Sequence, residues 1–497
     1  QEDLVATGKV AEALHVLERS RARSLLTMLA ERDLVPADDD AAELDARRKL
    51  LGDEHDALLE KLAHATPRER EALLEERDGL LRHEAELREE IRRRSPRLAM
   101  LRYPEPLSAA DAAASLPPGT ILLCYSVGDV STLLYAVARD RAPAAWTIPA
   151  GRLDLEGRAG MFVGLLSRPP VASTRETVAA AGQALYSLLL APAAERLASA
   201  KRLLVVPDGP LRTLPFAALR DPGGRYLVEE LPVANVDSMT VLSRLRGGGG
   251  TAVGHLLAAG DPWLPTSARA IGAAALRGGA DRSLGELPGA RREAQEVTAL
   301  WGTEATCLVG RAASEGEVRR AAASADVLHM ATHAVVDDRS PMSSALVLAP
   351  DEDDEHHNGL LQAWEIVEGL RLDARLVTLS GCETGLGREL RGEGVLGLTR
   401  AFQLAGARAV LHTLWKVEDR AQAELMVRVY AGLKEGLAVD EAVRRAQLSF
   451  FAGPVELPPS PVGWWQRLLD RWGLLPAWSA DLSAPYYWAS LRLDGRW

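Results

Sequence analysis

A chain of 497 residues is too long for one ordinary core, and a formal net charge of −11 lacks the cation excess that phosphate contacts need. Its 47% hydrophobic and 26% charged residues suit a soluble globular protein, and no apolar run approaches the roughly 18 residues of a membrane span. Direct nucleic-acid binding and a membrane role are therefore set aside. Only Cys124, Cys307 and Cys382 carry thiols, too few for a disulfide framework, so a reducing, cytoplasmic setting is expected.

The chain opens at Gln1, without Met, inside a helical pattern, so its true start is expected upstream. Residues 1–33 read as helix, with Val10, Ala13, Leu14, Leu17, Leu25 and Leu29 at helical intervals. Ala41 to Arg94 reads as a helical hairpin broken at Thr66-Pro67, where Thr66 caps, Pro67 takes the first turn and Glu69 completes a capping box. It serves either as a linker, spacer or partner-binding arm, or as two helices packed on each other. Short apolar runs follow from Pro104, with GTILLCYSV and STLLYAVARD expected to form a β-hairpin near Gly128-Asp129. A helix over Thr177–Leu197 and a buried strand KRLLVVPDG lead to a glycine-rich break at 247–250, where a subdomain boundary is placed. No Lys-Ser/Thr follows those glycines, which excludes a phosphate loop.

Beyond the break come the strand HLLAAGDPW, the helix ARREAQEVTALW ending at Gly302, the strand TCLVG and a helix over Ser314–Ala323. The strands ADVLHMATHA, ALVLAP and RLVTLSGC and a helix over Gly394–Ala405 continue the alternation. It predicts an α/β fold, a doubly wound, mostly parallel sheet with flanking helices, preceded by an all-helical segment. The expected organisation is a helical region over 1–100, a first α/β part over 101–250 and a catalytic part over 251–497. The stretch Trp464–Trp497, with six of the eleven tryptophans, is expected to form a packed cover.

Two strands end in reactive side chains, His333 and Cys382, 49 residues apart. A free thiol is only a few per cent thiolate near neutrality and needs an imidazole to take its proton. Loops at the carboxyl ends of neighbouring parallel strands converge on one crevice, which would let the two meet. Gly381 and Gly385 would let the backbone bend around Cys382. Cys124 and Cys307 lie in apolar strands and are expected to be small buried hydrophobes. His329 and His333 have an H-x-x-x-H spacing, but on a strand at about 3.3 Å per residue they stand about 13 Å apart and cannot share an ion. No metal and no cofactor are expected, and His329 is read as a core histidine. His356 and His357 are read as solvated, with weak cation binding by Asp351, Asp353 and Asp354 as the alternative.

VLHMATHA, LVTLSGCETGLG and GLLQAWEI, with LLVVPDGPLRTLPFAAL, AVLHTLWKVEDRA and APYYWASLRL, resemble the CHAT proteases, caspase-like and separase-like cysteine peptidases commonly attached to tetratricopeptide (TPR) helices. The resemblance runs from Leu203 to Leu493, and residues 1–33 resemble the second helix of a terminal TPR unit. It implies a caspase-like sheet, a pseudo-protease-like first part over 101–250, and a cysteine endopeptidase with Cys382 as nucleophile and His333 handling protons. The oxyanion hole it implies is built from the N–H groups of Ala334 and Cys382; the family commonly has Gly where this chain has Ala334. A dedicated protein substrate follows from the resemblance, such as a bacterial gasdermin-like pore former or another anti-phage effector, with an activating protein at the helical N-terminus. Resemblance to separase places a pocket for a basic side chain near Asp419, with Trp415 as a flat wall and Asp208 and Glu418 as further carboxylates. For Asp419 the alternative is that it caps the following helix, and for the whole protein that it is a catalytically silent interaction scaffold.

Overall fold

The computed structural model describes residues 1–29, 35–36, 40–64, 66–103, 106–245, 254–265, 284–337, 340–351, 357–380, 393–451, 453, 455–457 and 478–496. Its strands are β1 (Thr120–Val127), β2 (Thr132–Ala138), β3 (Arg141–Ile148), β4 (Arg202–Val206), β5 (Val233–Asn235), β6 (Leu256–Pro262), β7 (Ala305–Gly310) and β8 (Val327–Ala331). They continue with β9 (Ala334–Val335), β10 (Ala345–Val347), β11 (Leu360–Gln362), β12 (Leu376–Ser380), β13 (Ala409–Thr413), β14 (Val455–Leu457), β15 (Trp478–Ala480) and β16 (Leu491–Gly495). Eleven of them form one sheet in the order β3-β2-β1-β4-β5-β16-β13-β12-β8-β6-β7.

Two parallel blocks meet in this sheet. β1, β4, β5 and β16 run parallel, as do β13, β12, β8, β6 and β7, but β16 is antiparallel to β13. The carboxyl ends of β4 and β13 therefore point to opposite edges. β8 (VLHMA) and β12 (LVTLS) are buried at every residue, the near-continuous apolar run of a parallel strand covered on both faces. The expected boundary near 250 falls at 246–253, outside the described residues, and sheet and core both run across it. Leu122 and Leu204 from the first part share one hydrophobic cluster with Leu411 and Leu493 from the second.

The hairpin Ala41–His64 and Pro67–Arg94 forms with the expected capping box at Thr66 and Glu69. At the start of the chain Gly8, at φ 77°, breaks the expected single helix into Glu2–Ala6 and Val10–Leu29. Glu18 of the longer helix is fully buried: its carboxylate accepts from the N–H groups of Met239 and Thr240 at 3.3 and 3.0 Å and from the Thr240 hydroxyl at 2.8 Å, tying the N-terminal helix to the α/β body.

Two expectations are corrected. Leu491–Gly495 does not cover the fold but enters it, with all five residues buried between β5 and β13, while 458–477 lie outside the described residues. Cys307 is only half-buried, because β7 is an edge strand. Cys124 is fully buried, and burial pushes its thiol up to about 12.

Candidate active site

β8, β12 and β13 lie side by side and parallel, with Ser380 in register with Ala331 and Leu379 with His412. His333 stands two positions past Ala331 in the chain, and Cys382 two past Ser380. Cys382 and Gly381, Gly385 and Gly387 lie outside the described residues.

His333 is 4% exposed, and its Nε2 stands 2.9 Å from the carbonyl of Gly285. A carbonyl only accepts, so Nε2 carries the proton and Nδ1 is the basic nitrogen of the neutral ring. The Val347 N–H donates to the His333 carbonyl at 2.9 Å, while Ala334 pairs with Leu346 in β9–β10. In the alternation of an antiparallel ladder, the Ala334 N–H then points away from β10. Among described non-glycine residues only Asp261 has positive φ, so Ala334 is ordinary extended backbone and needs no glycine.

A cleft of about 140 Å³ opens at the carboxyl ends of these strands, floored by Ala331, Ser380 and Thr413. The N-terminal turn of the helix Pro288–Trp301 forms one wall, and Trp415, Lys416, Asp419 and Gln422 form the other. Asp261 holds the first wall in place: its Oδ1 accepts the Leu287 N–H at 2.7 Å and its Oδ2 the Arg291 Nε–H at 2.8 Å.

The predicted pocket residues fare differently. Asp419 and Trp415 line the cleft, and the Trp415 Nε1–H donates to the Tyr486 carbonyl at 2.9 Å. Asp419 is the first residue of the helix Asp419–Lys434, whose N-cap is Glu418: its carboxylate accepts from the Ala421 N–H at 3.0 Å and pairs with Arg420 Nε at 2.8 Å. Capping thus falls to Glu418, which does not line the cleft. Asp419 instead lies against the first turn of the facing helix, where a Cβ built on Gly289 would come within 2.6 Å of its Oδ2. Asp208 is not brought to the cleft. Its strand β4 belongs to the other parallel block, so it stands at the opposite edge, where its Oδ2 accepts the Val127 N–H at 2.8 Å.

The buried carboxylate of the cleft is one that sequence reasoning missed. Asp419 is exposed at the rim, whereas Glu293 is 4% exposed and lines the cleft. Its signal was present: on the helix PGARREAQEVTALW the buried face is Glu293, Ala294, Val297 and Trp301, a carboxylate on an apolar stripe. Glu293 Oε1 stands 3.1 Å from His329 Nε2, and His329 Nδ1 stands 3.0 Å from the Tyr430 hydroxyl. That hydroxyl donates to Thr378 Oγ1 at 2.9 Å, and Thr378 is the register neighbour of His329. His329 is thus a fully buried core histidine, held at Nδ1 by Tyr430 and set beside Glu293 at Nε2 without an aligned hydrogen bond. Asp351 pairs with His357 at 3.3 Å; His356, Asp353 and Asp354 lie outside the described residues.

A family model, "CHAT domain", matches residues 179–496. Tetratricopeptide repeat protein 28 of Homo sapiens is 30% identical over 323 residues, covering 54% of this chain and 12% of that protein, and its Mus musculus counterpart gives the same figures. The chain therefore spans about an eighth of those relatives. Two structures of the Saccharomyces cerevisiae separase–securin complex cover 98% of this chain and 40% of theirs at 9% and 10% identity, with TM-scores of 0.43 and 0.40, a likeness too weak to argue from.

Proposed function

The chain belongs to the CHAT-domain family, and from that membership and the geometry above we propose that it is a cysteine endopeptidase of the caspase-like kind. In this reading Cys382 attacks the scissile carbonyl, and His333 Nδ1 takes the thiol proton and returns it to the leaving amine. The Ala334 and Cys382 N–H groups receive the developing oxyanion. The observation that carries the reading is the bond from His333 Nε2 to Gly285, which leaves Nδ1 as the base. The register adds support, since both residues of the dyad stand two positions beyond a paired strand end.

The cleft at the carboxyl ends of β8, β12 and β13 holds Glu286, Glu293 and Asp419 against one cation among its lining residues, Lys416, and so favours a basic side chain before the cut, Arg over Lys for its planar fork of donors. The substrate is a specific protein, with a bacterial gasdermin-like pore former or another anti-phage effector as the proposed class. Activation is assigned to a protein partner at the N-terminal helices, where Leu50, Leu59, Leu74 and Leu81 of the hairpin are exposed. A thiol-reactive Arg-containing peptide probe is expected to label the wild type and neither Cys382→Ala nor His333→Ala, both staying folded by circular dichroism. Labelling that survives Cys382→Ala, or cleavage at near wild-type rate in either variant, removes the dyad and leaves an interaction scaffold.

A further inference from the structure

Glu293 and Gln422 line the cleft with side chains 4% and 5% exposed, and each has a buried Oε1 that makes no hydrogen bond among the described residues. Gln422 uses its other end, donating from Nε2 to Ser380 Oγ at 3.4 Å. Buried acceptors left unmet cost about 1–3 kcal/mol each, so this floor suits an occupant rich in N–H donors.

Behind the floor, Glu293 Oε1 stands 3.1 Å from His329 Nε2 without an aligned hydrogen bond, and His329 Nδ1 is held 3.0 Å from the Tyr430 hydroxyl. Among the described residues, no N–H or O–H therefore meets Oε1 in good geometry.

We infer that Glu293 is the floor carboxylate for a cationic side chain. This rests on the reading that the cleft takes a basic side chain. An N–H of the entering cation bonds to the Glu293 carboxylate, which gains a charge-assisted donor where the described residues supply no aligned one. The charged and titratable groups that share its surroundings are Arg292 and Glu296 on its own helix, His329 on β8, and Tyr430, Glu424 and Asp419 on the Asp419–Lys434 helix. Glu286 and Lys416 complete the rim.

The test is calorimetry with benzamidine, a planar amidinium that cannot be cleaved. Wild type is expected to bind it, Glu293→Gln to weaken binding at least about tenfold, and Asp419→Asn at the rim to weaken it less than about threefold. Benzamidine that fails to bind the wild type overturns the cationic cleft and Glu293 with it. Binding to Glu293→Gln as tight as to wild type overturns Glu293 as the floor and leaves the cationic cleft standing. A loss of about tenfold or more in Asp419→Asn does the same, even if Glu293→Gln does not fold.

Discussion

Two buried histidine–carboxylate pairs stand two strands apart in the same sheet, and they are built differently. On β13 and β16, Asp494 accepts from Arg492 Nε and Nη2 at 2.8 Å each and from His412 Nε2 at 2.9 Å. Burial alone would raise this carboxyl, but the Arg492 charge and the His412 hydrogen bond outweigh it and hold it well below the usual range. Beneath the cleft, Glu293 has His329 alone among the described residues, at 3.1 Å and without an aligned hydrogen bond. A carboxylate saturated by fixed partners has no capacity left for a ligand, whereas one with an unmet oxygen at a cleft floor does.

Stability separates them most sharply. Arg492→Met strands Asp494 among buried atoms and is expected to cost about 3–5 kcal/mol, as when one partner of a buried ion pair is removed. Glu293→Gln deletes no aligned hydrogen bond and is expected to cost about 1 kcal/mol. Urea denaturation of both checks this, and equal losses would break the distinction. A smaller effect concerns acid. Because the folded Asp494 titrates below its unfolded value of about 3.9, its contribution is present above that pH and is lost as pH falls further. Asp494→Asn should therefore be destabilised near neutrality and show a flatter acid limb than wild type below about pH 4; parallel limbs would remove Asp494 from the acid response.

The difference between the pairs also marks what the sequence made legible. Alternating strands and helices, the Thr66–Glu69 capping box and the segments ending at His333 and Ser380 could all be read, because each is a local pattern of burial or turn chemistry. Strand direction could not: nothing in LRLDG says that β16 runs against β13, and the assumption of one parallel sheet put Asp208 at the wrong edge. Division of labour at a helix start was hidden too, since Glu418 and Asp419 are both plausible caps and only the chain's path gives Glu418 that task. Glu293 was passed over because it sits within the charged run ARREAQE, where its place on the apolar stripe is easily missed.

Tyr430→Phe gives the smallest and most specific effect. Both pairs use Nε2 toward the carboxylate, but His412 Nδ1 has no hydrogen-bond partner among the described residues, whereas His329 Nδ1 meets the Tyr430 hydroxyl. Phenylalanine keeps the ring volume and its edge contact with His329, 5.3 Å between centroids at 80°, so the packing survives. Loss of the hydroxyl leaves Thr378 Oγ1 without its donor and should cost about 1–2 kcal/mol. Glu293 is untouched by this change, so benzamidine should bind Tyr430→Phe within about threefold of wild type. A loss of about tenfold or more would show that the hydroxyl, through His329, helps to hold the Glu293 carboxylate in place, and the two pairs would then differ less than their donors imply.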